Sequence, residues 1–236
     1  MNDILFEWKL IIRNKRLKQM LIPIPFLIFS FYAMIASSNF IFINYFIGRI
    51  FFTIGLISIG GIYYGAISLG MSASYIEKLV TSPKPLSSSL LQAKYYLNSI
   101  LSFIITITLI TIQILNGKVE SMEIVASYLF SIGYVYHGMF KCTLLSYAPI
   151  DIKATSIYNW QGFTLSNLFF PALFLLATMS IIAIVYWLLG KSITLIIISI
   201  VGLCFIVTCK LWINSIGKEI ERTKYHRLEC FRENNY

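Results

Sequence analysis

The chain has 236 residues, 58% of them hydrophobic and 12% charged, with a mean hydropathy of +0.77 and a formal net charge of +9. Soluble domains are about half apolar and a quarter charged, so this composition excludes a water-soluble fold. Spans of about 20 residues leave room for about six, with short connections and no separate soluble domain. In a soluble chain the positive charge would point to a polyanion; here its placement along the chain matters more than its sum, and no nucleic-acid partner is expected.

Residues 2–18 place Ile4, Leu5, Trp8, Ile11 and Ile12 at helical spacing on one face, with Asp3, Arg13, Lys15 and Lys18 elsewhere. This predicts an amphipathic helix over residues 1–19 lying in the membrane interface. The same segment lacks the short apolar core and cleavage site of a signal peptide, so no processing is expected. The first span is predicted from about Met20 to Ser37, with Pro23 and Pro25 in its first turn or at a kink. The second, about Phe46 to Met71, holds six of the thirteen glycines. Small residues recur there at four-residue spacing through Gly61 and Gly65 and again through Ala66, Gly70 and Ser74, a pattern for close helix packing or, alternatively, for a flexible or ligand-lining segment.

Residues 72–95 break the apolar pattern and form the first long polar loop. A third span follows over about 96–116 and a fourth over about 123–142, then a second polar loop over 143–167. The fifth span, about 168–188, turns through Leu189, Gly190, Lys191 and Ser192 into the sixth, about 193–213. Residues 214–236 form a charged tail. The whole chain is thus expected to be one all-α transmembrane domain, with six spans over residues 20–213.

Sixteen of the nineteen Lys and Arg residues fall in the N-terminal segment, the two long loops with their edges, and the tail side. Only Arg49, Lys118 and Lys191 fall on the other side. The positive-inside rule then puts both termini and both long loops in the cytoplasm, with the chain in the bacterial inner membrane.

Catalytic chemistry has little to work with. His137 and His226 are the only histidines and lie far apart, no Gly-rich phosphate loop occurs, and Cys142, Cys204, Cys209 and Cys230 make no CxxC. No enzyme activity, cofactor or metal is expected of this chain. Acidic residues are absent from the centres of the predicted spans, which argues against ion-coupled transport. Intramembrane polar groups are pathway candidates by default: Asn98, Gln113 and His137, with Tyr63 and Tyr64 on the second span. The alternative for each is interhelical hydrogen bonding.

In the first loop, Tyr75, Ile76, Leu79 and Val80 give a short helix an apolar side while Glu77 and Lys78 project elsewhere, and Pro83 limits its length. Such a segment suits docking into a groove on a cytoplasmic partner; the alternative is an ordinary amphipathic surface loop.

With an interfacial helix, six spans and a docking segment between the second and third, the chain resembles the permease half of a type-2 ABC exporter. Residues 60–97 (GGIYYGAISLGMSASYIEKLVTSPKPLSSSLLQAKYYL) and 151–162 (DIKATSIYNWQG) are similar to loops of a poorly characterised group of ABC-type permease-like proteins from Bacteroidetes-type bacteria. The matching positions are Tyr64 and Gly65, Glu77, Leu79, Pro83, Ala93 to Tyr95, then Asp151, Asn159, Gln161 and Gly162. The resemblance implies a separate ABC ATPase as partner, a second permease copy or a paralogue, and a coupling role for Tyr75 to Ser82 and for Asp151. The chain is shorter than many of that group and lacks the sizeable external loop that many type-2 exporters carry between the last two spans. A lipid-like or amphipathic substrate fits spans that are nearly all apolar and aromatic, with membrane lipids as the surroundings. The alternative from another class is a non-transporting immunity, sensor or scaffold subunit.

Overall fold

A computed structural model describes residues 2–13, 23–36, 45–62, 86–116, 120–145 and 165–233. These are helical apart from short junctions, with no strand among the described residues. The helices are α1 (Asn2–Arg13), α2 (Pro23–Ala36), α3 (Phe46–Ile57), α4 (Leu86–Asn116), α5 (Ser121–Phe130, prolonged by a π-turn Ser131–Val135 and by Tyr136–Cys142), α6 (Leu165–Val207) and α7 (Cys209–Glu233). Two stretches, Ser88–Ile114 and Phe169–Val207, are long and apolar enough to cross a membrane.

Local chemistry sets several of the boundaries. Pro23 opens α2, where its missing N–H costs nothing. After α3, the Ser58 hydroxyl donates to the Ile54 carbonyl at 2.6 Å and helical turns resume through Ile62. Helix α4 follows Pro85 directly and takes in residues 86–95, which the sequence assigns to the loop. These added turns are held from outside: Leu91 and Tyr95 pack with Trp212, Ile213 and Ile216 of α7.

Helix α6 is two helices joined at Gly190, where φ is +77° and ψ 177°. Its 39-residue apolar stretch would reach about 58 Å if straight, nearly twice the hydrocarbon thickness of about 30 Å. Instead Ile182 and Ile198 meet in one core cluster, so the two arms lie side by side as a hairpin. This is the tight turn expected between the fifth and sixth spans. The second arm ends at Val207, and α7 starts one residue later at Cys209, short of the expected end of the sixth span.

Close backbone approach and interhelical hydrogen bonds help to hold the bundle together. Gly133 and Gly202 supply the first: a Cβ on either would run into the other helix's backbone, so α5 and the second arm of α6 cross nearly in contact. The crossing coincides with the π-turn of α5, a common device where a helix must locally widen. Gly61 lies against the Tyr136 ring, where an added Cβ would collide. Its expected partners in the small-residue pattern, Gly65 and Gly70, lie outside the described residues.

Candidate functional site

Helix α4 has an unusual division of faces. Tyr96, Ile100, Phe103, Ile107 and Ile114 are exposed, while Lys94, Asn98, Ser102 and Thr106 are buried on the other side. Their spacing of four stacks these polar side chains along one line facing the bundle. The Ser102 hydroxyl donates to the Ile57 carbonyl at 2.5 Å and lies 2.5 Å from the Tyr136 hydroxyl. Tyr136 in turn reaches the Asn98 carbonyl at 3.0 Å. Three helices are thereby tied at one level by groups that lipid could not satisfy.

Among the candidate pathway residues, Asn98 is in this network through its backbone, and its side-chain amide nitrogen is buried with no hydrogen-bond partner among the described residues. His137 packs its ring on Phe205 and Trp212, with centroids 4.8 and 5.3 Å apart. Gln113 is remote from both, at the far end of α4, where it accepts a hydrogen bond from Ser121 at 2.9 Å. Tyr63 and Tyr64 lie outside the described residues. So do all the candidate coupling positions: Tyr75, Glu77, Lys78, Leu79, Ser82, Pro83 and Asp151.

What the structure does describe is the frame next to that loop. The first turns of α4 are gripped on two sides. On one, Lys94 and Glu7 of α1 come within 4.0 Å, both side chains being 2% exposed. On the other, α7 passes so close that a Cβ on Gly217 would touch Ser88 at 3.1 Å. Helix α1 uses its Glu7 side for this contact and leaves Leu5, Trp8 and Ile12 exposed, so the apolar row read from the sequence faces outward. That is the arrangement an interfacial helix needs.

At the opposite end of the bundle is a cluster of four charges. Arg49 of α3 makes a two-pronged contact with Glu123 of α5, Nε to Oε2 and Nη2 to Oε1, both at 2.9 Å. Lys191, beside the hairpin turn, is 3.0 Å from the same carboxylate and also pairs with Glu120. Glu123 is fully buried and satisfied by both cations. Lys191 also lies over the Phe46 ring, which stacks on Tyr186. Two of the three basic residues assigned to the non-cytoplasmic side are therefore neutralised in place.

The sequence reasoning singled out Asn98 but passed over Ser102, Thr106 and Tyr136; the four-residue spacing from Lys94 to Thr106 was the available signal. Arg49 and Lys191 entered it only as charges on the non-cytoplasmic side, because their partners Glu120 and Glu123 lie more than sixty positions away in the chain. Among the described residues no three His, Cys, Asp or Glu side chains come together as a metal site requires.

No curated protein and no solved structure matches the chain. A family profile does match, over residues 4–234. The chain therefore belongs to the family of unknown function DUF5687.

Proposed function

We propose that this chain is the permease subunit of an ATP-driven ABC exporter in the bacterial inner membrane, with six spans and both termini cytoplasmic. It works with a separate ATPase and a second permease copy or paralogue, and moves a lipid-like or amphipathic substrate. The observation that carries the reading is the braced start of α4. At 31 residues this helix is about 46 Å long, some 15 Å more than the hydrocarbon core. The excess continues directly from the loop that holds Glu77. A push on that loop would reach the bundle undamped only through a rigid extension, and α1 and α7 clamp this one from two sides.

Charge supports the orientation. The basic residues of α7 include Lys210, Lys218 and Arg222, whereas at the hairpin end the described cations Arg49 and Lys191 sit with Glu120 and Glu123. The non-transporting reading draws on a different observation, the packed interior in which Asn98, Ser102 and Tyr136 are used to hold helices together. For an exporter, this packing supports a substrate route between subunits rather than through one chain.

The two readings part on one experiment. A P-loop ATPase encoded beside this gene should co-purify with the chain, and Glu77→Lys should abolish transport-coupled ATP hydrolysis while membrane insertion is retained. Normal hydrolysis and transport by that variant would overturn the docking assignment. Absence of any ATPase from the purified complex would favour the non-transporting subunit.

A further inference from the structure

An apolar cavity of about 160 Å³ lies inside the hairpin, between Thr178 and Val185 on the first arm and Thr194 and Val201 on the second, with Phe130 and Tyr134 of α5 behind it. Both threonines spend their hydroxyl protons on their own helix, Thr178 on the Phe174 carbonyl at 2.8 Å and Thr194 on the Gly190 carbonyl at 2.7 Å. A water molecule needs two to four polar partners and would find few here; apolar cavities of this size stay dry or take apolar ligands. Ile181 lines the cavity and is also 57% exposed, so the space reaches the outer surface of the bundle at that residue. Around it the surface stays apolar, with Ile184, Ile196 and Ile200 all exposed.

The depth identifies the occupant. Counting from Gly190 at 1.5 Å per residue, the lining spans about 6 to 18 Å below the turn, which matches the hydrocarbon of one leaflet, about 15 Å thick. The turn itself is level with the Lys191–Glu120 pair. We propose that the cavity is a binding site for one acyl chain of a phospholipid from the leaflet that contains the hairpin turn, with its headgroup beside that pair. The chain fills space between the arms that the protein leaves empty and completes their packing against α5. The proposal rests on the membrane placement of the two arms and not on ATPase coupling, so it is tested on this chain alone.

The test uses phosphatidylethanolamine vesicles containing the full chain and a trace of the same lipid with a photoactivatable diazirine at mid-chain. After illumination, cross-linked peptides are mapped by mass. Labelling should concentrate on 178–185 and 194–201, above that of the exposed α4 face at Ile100 and Ile107. Ile197→Phe and Val185→Phe place extra carbon atoms in the cavity; excluding about two methylenes of lipid should lower hairpin labelling about tenfold. Ile196→Phe, on the neighbouring exposed position, should leave it unchanged. Uniform labelling of the hairpin and the α4 face, or undiminished labelling in both filled variants, overturns the proposal.

Discussion

Glu123 illustrates how much one buried side chain can hold in a helical bundle. Its carboxylate has no exposure and accepts from Arg49 while contacting Lys191, so three helical elements depend on one negative charge. Removing one member of a buried pair costs more than the pair contributes, because the remaining charge stays desolvated. Glu123→Gln should therefore destabilise the folded chain by about 3 kcal/mol, read as a lower midpoint of thermal unfolding in detergent. Glu120 is the internal comparison: its side chain is 62% exposed, and an exposed pair contributes under about 1 kcal/mol. Glu120→Gln should shift the midpoint far less, and equal shifts would show that the buried geometry carries no special weight.

Among the helices, two glycines do opposite jobs. Gly190 makes the hairpin by its backbone: its φ is +77° and an added Cβ would meet no atom within 4 Å. Gly190→Ala should cost only the backbone strain of a φ +77°, ψ 177° conformation that is essentially confined to glycine, about 1 to 3 kcal/mol. Gly202 makes a crossing by its lack of a side chain, and a Cβ there would strike the backbone of Leu129 and Phe130. Backbone cannot rotate away as a side chain can, so Gly202→Ala should be the more damaging change, with loss of folded protein measured by size-exclusion of the solubilised chain. A milder effect at Gly202 than at Gly190 would place the crossing elsewhere.

For the molecule as a whole, the distribution of charge makes a prediction about sidedness. The described cations at the hairpin end, Arg49 and Lys191, are paired with carboxylates, while the opposite end carries the basic residues of α7. With its native cysteines replaced, the chain carrying Ser192→Cys should react with a membrane-impermeant maleimide added outside intact inner-membrane-exposed cells. Glu221→Cys on α7 should react only after the cells are opened. Labelling of both positions from one side would reject the both-ends-in topology.

Much of the architecture was legible in the sequence. The apolar stretches at 96–116 and 168–188, the Gly190 turn and the outward apolar row of α1 all follow from patterns local to a few turns, and local patterns are what a single sequence displays. The polar line on α4 was also present as a four-residue repeat, although its meaning depended on which face turned inward. Tertiary structure decided the rest. Glu7 meets Lys94, Arg49 meets Glu123 and Gly133 meets Gly202 across long stretches of chain. No periodicity records such meetings, because each depends on how helices cross. Composition alone pointed this chain towards the membrane, since 58% hydrophobic residues is well above a soluble domain's share, and two of the described helices are long and apolar enough to span one. Only the crossing of α5 with the hairpin, set by two glycines and a π-turn, decided where its charges would be neutralised and where a cavity would remain.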